Sequence, residues 1–234
     1  MVSLNITAIL RETTLGKRKE KLGGITCRLG LEDAYTSTLE RMRGQCENQS
    51  KLAMQALMWI SRSQRPLGVN ELCHALAVEI GSTRLDLDKV PSIDTILSCC
   101  LGLIAVDQEA STVRLIHFTL HEYLSEHSTL FASPHGTIAE VCLTYLGHQL
   151  TNNPSHPSFN ALINAPLLEY ASYYWGTHAR METTAAGKSL AVKLLNKYDT
   201  HISAKLLLSK IYREEGRFGD GNEPQSGVLL DCTS

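Results

Sequence analysis

The sequence predicts a mainly α-helical protein that carries one small β-hairpin. Three observations indicate the hairpin: a short apolar run at 103–106, a polar turn at 107–111, and alternating apolar and polar residues at 112–116. From Phe118 onward the apolar spacing becomes that of a helix, which places His117 at the junction. A hairpin between helices is the arrangement of a winged helix. We therefore expect a winged-helix domain over 31–130, followed by a helical extension over 131–215.

Four helices are predicted ahead of the hairpin. Apolar residues recur at helical spacing over 32–43 and again, more deeply buried, around Trp59. The Arg-Pro-Leu-Gly segment at 65–68 breaks the pattern, since proline and glycine both oppose helix continuation. A third helix is predicted from Asn70 to Gly81 and a fourth with Pro91 in its first turn. The expected core residues are Trp59, Leu72, Leu76, Leu97, Leu103 and Ile116.

The remainder of the chain is predicted to be helical with polar breaks. The triplet at 134–136 marks a boundary, and helices are expected at 137–150, 167–180, 185–198 and 203–215, with a loop at 151–158. Glycines interrupt residues 1–30, which we expect to form a poorly ordered lead-in. Residues 216–234 are glycine-rich and polar and are predicted to be a loose tail.

Composition excludes several classes of protein. The chain has 234 residues and a formal net charge of −2, so it lacks the broad positive field typical of proteins that hold nucleic acid. Its apolar runs all fall short of the roughly 20 residues that a bilayer requires. Seven cysteines, an odd number without a CxxC pair, favour reduced thiols and a cytoplasmic protein.

Several segments occur in an order that is typical of one family. They are LEDAYTSTLERM (31–42), ALMWISRSQRPLGVNELCHALAV (56–78), ILSCCLGLIAVD (96–107), VRLIHFTLHEYL (113–124) and LLEYASYYWGTHAR (167–180). Together they resemble the region that follows the NACHT nucleotide-binding domain in fungal NLR-like proteins of the STAND class, often ahead of ankyrin repeats. The middle part is similar to the domain called the GPI inositol-deacylase winged helix.

The resemblance implies a regulatory arm of a signalling NTPase and not its catalytic centre. The implied partners are proteins, namely the NACHT domain or ankyrin repeats of a parent protein, and neither nucleic acid nor membrane. Deacylase chemistry needs an activated serine in a GxSxG elbow, and that pentapeptide is missing from the sequence. We therefore expect no enzyme activity and no cofactor.

Two short motifs suggest chemistry that their spacing does not support. Gly187-Lys188-Ser189 ends like a phosphate-binding loop, but Glu182 stands where the leading glycine belongs, and its carboxylate would repel phosphate. His117, His121 and Glu122 read HxxxHE, whereas zinc peptidases need HExxH. We predict neither an ATP site nor a metal site.

His117 is the one candidate nucleotide-contacting residue. In plant resistance proteins of the STAND class, a Met-His-Asp motif lies at the end of the winged helix, and its histidine is thought to contact the β-phosphate of ADP. The Ile116-His117-Phe118 segment looks similar, and an imidazole can donate a hydrogen bond to phosphate. Phe118 replaces the aspartate of the motif. The other interpretation is that His117 only caps or packs at the corner, and a sensor role applies only in a full-length parent protein.

Three further interpretations stay open. A winged helix can bind DNA, yet between 90 and 130 Arg114 is the only basic residue and five are acidic. The aromatic segment from Tyr170 to Trp175 could stack on bases, although its helical spacing favours packing in the core. The chain could also be a non-functional fragment of a larger gene.

Overall fold

The computed structural model describes residues 28–152 and 165–196. Within these ranges eight α-helices and three strands follow one another, together with short 3₁₀ turns at Leu87–Lys89 and Ser128–Leu130. In chain order they are α1 (Arg28–Arg43), α2 (Glu47–Arg62), β1 (Leu67–Gly68), α3 (Val69–Ala77), α4 (Ile93–Cys99), β2 (Ile104–Asp107), β3 (Thr112–Leu115), α5 (Phe118–Glu126), α6 (Pro134–Asn152), α7 (Leu168–Met181) and α8 (Ala185–Leu195).

The predicted winged-helix fold is confirmed. The three strands form one antiparallel sheet in the order β1-β3-β2, and helices α2, α3 and α4 precede the β2–β3 wing. The wing pairs Ile104 with Leu115 and Val106 with Val113. The third strand, β1, was missing from the prediction. It has two residues, too few to show a period, and it becomes a strand only by pairing Leu67 with Val113 across the sheet.

Local hydrogen bonds explain how the wing turns. The Asp107 carboxylate accepts from the backbone N–H groups of Glu109 and Ala110 at 3.2 and 3.1 Å, which closes the turn between β2 and β3. At the entry to β2, Gly102 has a φ of +83°, a left-handed conformation that glycine adopts without steric cost. The turn at Asp107 reverses the chain, so that β3 pairs antiparallel with β2.

Several predicted helix boundaries were wrong. Helix α3 ends at Ala77, four residues before Gly81. Pro91 precedes α4, because the Ser92 hydroxyl accepts from the Thr95 N–H at 3.2 Å and makes Ser92 the N-cap. Helix α6 begins at Pro134, where a boundary was expected, since proline fits a first helical position.

One contiguous hydrophobic core runs through the winged helix and the extension. Trp59, Leu72 and Leu103 are buried in it, as predicted. Leu76 and Leu97 are only partly buried. Ile116 is 46% exposed and is not a core residue. Strand β3 ends at Leu115, so the in-and-out alternation of the sheet no longer determines where the next side chain lies.

The described cysteines agree with the expectation of reduced thiols. Cys73, Cys99, Cys100 and Cys142 are buried and free, and Cys46 is free and exposed. Burial raises the pKa of the Cys100 thiol to about 12, because a thiolate is poorly solvated in an apolar surrounding. Such thiols behave as small apolar side chains.

The helical extension packs on the winged helix through α6, with α7 and α8 against α6. Helix α1 begins inside the predicted lead-in 1–30, and α6 extends into the predicted loop 151–158 as far as Asn152, so both predicted boundaries were wrong. The rest of the lead-in and of the loop, the helix at 203–215 and the tail at 216–234 lie outside the described residues. Within the described ranges, no helix combines the length and apolarity needed to cross a bilayer.

Trp59→Ala should lower the free energy of unfolding by about 3–5 kcal/mol, because a fully enclosed aromatic side chain would leave a cavity. Urea denaturation measures this. The control is Leu195→Ala, which changes an exposed side chain and should change the free energy of unfolding by less than about 0.5 kcal/mol. Equal effects of the two substitutions would contradict the assignment of Trp59 to the core.

Candidate functional site

The corner between β3 and α5 carries the candidate site predicted from the sequence. His117 lies there in an extended conformation and is the N-cap of α5. Its Nδ1 accepts from the backbone N–H of Thr119 at 3.3 Å and lies 2.8 Å from the Thr119 hydroxyl. The capping interpretation of His117 is therefore correct for this chain, and the cap satisfies one of the free N–H groups of α5.

The cap determines which nitrogen of His117 carries the proton. An Nδ1 that accepts from a backbone N–H has no proton, so in the neutral ring the proton is on Nε2. The Tyr35 hydroxyl of α1 lies 2.8 Å from the Thr119 hydroxyl and supports the arrangement from the other side. The exposed imidazole thus presents an Nε2–H donor.

Two apolar side chains flank His117 at this corner. Ile116 is 46% exposed and Phe118 is 67% exposed. The Phe118 ring centroid lies 4.5 Å from that of His117, so the two rings form one surface. We call Ile116, His117 and Phe118 the corner site. Exposed apolar groups next to a fixed hydrogen-bond donor are typical of a binding surface.

A groove of about 360 Å³ runs beside the corner site, between α1 and α5. Its apolar wall includes the rings of Tyr35 and Tyr123, whose centroids are 5.6 Å apart. The side chains that line it are Leu31, Glu32, Tyr35, Phe118, Thr119, Glu122, Tyr123 and Glu126. None of these groove residues is a lysine or arginine, so a cationic partner group fits the groove better than an anionic one.

The other predicted motifs form no site among the described residues. His121 and Glu122 are exposed on α5, and no group of three or more metal-ligating side chains occurs in the described ranges. Gly187 lies in the first turn of α8, where its N–H donates to the Thr184 hydroxyl at 2.9 Å. The glycine-lysine-serine triplet therefore lies in the capped first turn of a helix.

The wing and α4 carry mainly negative charge. Asp94 lies on α4, Asp107 and Glu109 are at the wing, and the one basic residue nearby, Arg114, places Nε 3.9 Å from an Asp107 carboxylate oxygen. This is the surface that many winged helices present to a duplex. Its charge opposes phosphate binding.

A second polar cluster, which the sequence did not predict, lies between α6 and α7 and reaches the end of α2 through Tyr170. His178 of α7 is fully buried, and its Nδ1 lies 2.8 Å from Nδ1 of His135 at the start of α6. Its Nε2 lies 2.9 Å from the Tyr170 hydroxyl, which accepts from the Gln64 N–H at 3.1 Å. We call Tyr170, His178 and His135 the histidine junction. The sequence signal was weak, because the two histidines are 43 positions apart.

Arg65 connects the same junction to the sheet. Its guanidinium donates to both Glu71 carboxylate oxygens, at 2.8 and 2.6 Å, and its Cζ lies 5.3 Å from the centre of the Tyr170 ring. Glu71 also accepts from the Gly68 N–H at 2.7 Å, which holds the start of α3. The Arg-Pro-Leu-Gly segment between α2 and α3 is thus held in one conformation, and its Arg65 side chain contacts α7.

Comparisons with known proteins match the winged-helix part of the chain. Residues 39–133 match the family described as "GPI inositol-deacylase, winged helix domain". A protein from Monascus ruber, "Azaphilone pigments biosynthesis cluster protein L", is 29% identical over 134 residues, which cover 50% of this chain. The chain spans only 28% of the length of that relative. No solved structure matches the chain.

His117→Ala should lower the free energy of unfolding by about 1 kcal/mol, since the first turn of α5 loses its side-chain cap. Hydrogen exchange at the Thr119 amide should become faster in the same variant. The control is His121→Ala, which changes an exposed side chain of the same helix and should leave both quantities nearly unchanged. If the two variants behave alike in denaturation and exchange, His117 is not a cap.

Proposed function

We propose that this chain is a non-catalytic regulatory and interaction module of a STAND-type signalling NTPase. The observation that supports this best is the corner site, where Ile116 and Phe118 are exposed beside His117. The Nδ1 atom of His117 caps α5, and this cap fixes the direction of the Nε2–H donor. The match of residues 39–133 to a winged-helix family supports the same assignment. The nucleotide-binding domain itself would belong to another part of a parent protein, and we place the module in the cytoplasm.

The corner site is suited to a protein partner. A large exposed aromatic side chain that sits on a rigid element loses little conformational entropy on binding, so it can contribute much of the binding energy. Phe118 starts α5, and α5 is anchored by a hydrogen bond between Thr36 and Tyr123 at 2.9 Å. We propose that Phe118 is the central contact with a NACHT domain.

The nucleotide contact proposed for His117 requires a complete parent protein. In that setting, the Nε2–H group would donate to the β-phosphate of ADP while the NACHT domain is closed. Phe118 stands where the related motif has an acidic residue, so the carboxylate is replaced here by an apolar contact. In this chain the Thr119 amide and hydroxyl orient His117, the role that we propose for the carboxylate in the related motif.

Nucleic-acid binding is the alternative function of a winged helix. The acidic residues of α4 and the wing argue against it, because neutralisation of phosphates provides most of the affinity for DNA. We likewise propose no enzyme activity, because the sequence lacks the GxSxG elbow that deacylase chemistry needs.

Phe118→Asp should weaken binding to an isolated, ADP-loaded NACHT domain of a fungal STAND protein at least tenfold, as measured by isothermal titration calorimetry with the whole chain. The reason is that a buried aromatic contact is replaced by a charge. Val192→Asp, which changes an exposed apolar residue of α8, is the matched control and should bind like the wild type.

Failure of the unaltered chain to bind the NACHT domain would reject the proposed partner. Equal losses in the two variants would reject the corner site as the contact surface. A titration with a 20-base-pair duplex at low salt tests the alternative, and we expect no saturable binding.

A further inference from the structure

The histidine junction contains two imidazoles that cannot both be protonated in the folded chain. The Nδ1 atoms of His135 and His178 are 2.8 Å apart, so one of them must accept from the other. Two N–H groups at this distance would point their protons at each other. The geometry therefore admits at most one proton between the two facing nitrogens.

One direction of hydrogen bonding satisfies all members of the junction. In this direction the Tyr170 oxygen accepts from the Gln64 N–H and its O–H donates to His178 Nε2. His178 then carries its proton on Nδ1 and donates to His135. Both imidazoles are neutral in this arrangement, and the hydrogen bonds run from the end of α2 through α7 to the start of α6.

The charged groups around the junction act in opposite directions. Glu182, whose carboxylate oxygen accepts from the Gly136 N–H at 2.9 Å, favours protonation of His135. Arg62 at the end of α2 donates to the Leu124 carbonyl at 2.8 Å and opposes that protonation with a smaller effect. The other titratable or charged groups that act on Tyr170 or Arg65 are Cys142, Tyr174, Glu169 and Glu71.

The pKa directions agree with the geometry. Burial, together with a smaller effect of the neighbouring His135, lowers the pKa of His178 to about 4. Burial is also the largest cause of the lowered pKa of His135, with Arg62 adding to it. An unfolded or water-exposed histidine has a pKa near 6.5. The released state therefore binds more protons than the docked state.

We propose that the histidine junction is an acid-sensitive switch that holds α7 against α6 and the end of α2, and that protonation of both histidines releases α7. The docked state is favoured above about pH 6.5, where histidine is neutral in both states. Its stability falls as the pH drops from 6.5 toward 4, because the released state takes up protons that the docked state excludes. The proposal does not depend on the NACHT partner.

The test is an acid titration of the whole chain from pH 7.5 to 3.5. Tryptophan fluorescence reports release, because the Trp59 ring lies edge-on to the Tyr170 ring at 5.9 Å. His178→Gln keeps an acceptor for Tyr170 and a donor for His135 but does not titrate. We expect its transition midpoint to move by about one pH unit or more toward acid, whereas the control His121→Gln, on the exposed face of α5, should match the wild type.

A wild-type midpoint in His178→Gln would overturn the proposal. If that variant does not fold, histidine-selective NMR of the unaltered chain decides the question. A His178 ring that titrates near 6.5 in the folded chain would also overturn it, and a ring that stays neutral until α7 is released would support it. Hydrogen exchange along α7 locates the release: the amides of 168–181 should lose protection before those of α2.

Discussion

The burial of Tyr170 is the interaction on which the rest of the structure depends. Its ring packs edge-on against Trp59 of α2, with centroids 5.9 Å apart, and the Arg65 guanidinium lies over its face. Its hydroxyl satisfies a backbone N–H at Gln64 and contacts His178. One side chain thus fills space against α2 and satisfies polar groups at once, which ties α7 to α2. The core is continuous through this contact and through the packing of α6 on α2.

Arg65 extends this constraint from the extension to the wing. The same guanidinium that lies over Tyr170 forms a two-point contact with Glu71, and Glu71 caps the Gly68 N–H. Gly68 belongs to β1, which pairs with β3 beside the wing. The Arg65 guanidinium contacts the Tyr170 ring on α7 and the Glu71 carboxylate on α3. Because Glu71 also accepts from the Gly68 N–H, the guanidinium links α7, α3 and β1. The two parts of the molecule are therefore coupled through a polar contact as well as through apolar packing.

Ile116 and Phe118 are exposed because the chain changes direction between β3 and α5. Strand β3 ends before Ile116, and the cap at His117 turns the chain into α5, so Ile116 and Phe118 stay outside the core. This apolar exposure at the corner is the basis of the contact surface that we propose. The family match of residues 39–133 ends shortly after this corner, so the proposed binding surface lies within the part of the chain that is similar to known proteins.

The sequence alone determined the helix order, the wing and the location of His117, since these depend on local periodicity and turn chemistry. It could not determine β1, because a two-residue strand exists only through its pairing with β3. Tertiary structure also decided that Ile116 is exposed and that His135 meets His178 across 43 positions of sequence. Contacts between distant residues depend on how the helices pack, and no local pattern encodes that packing.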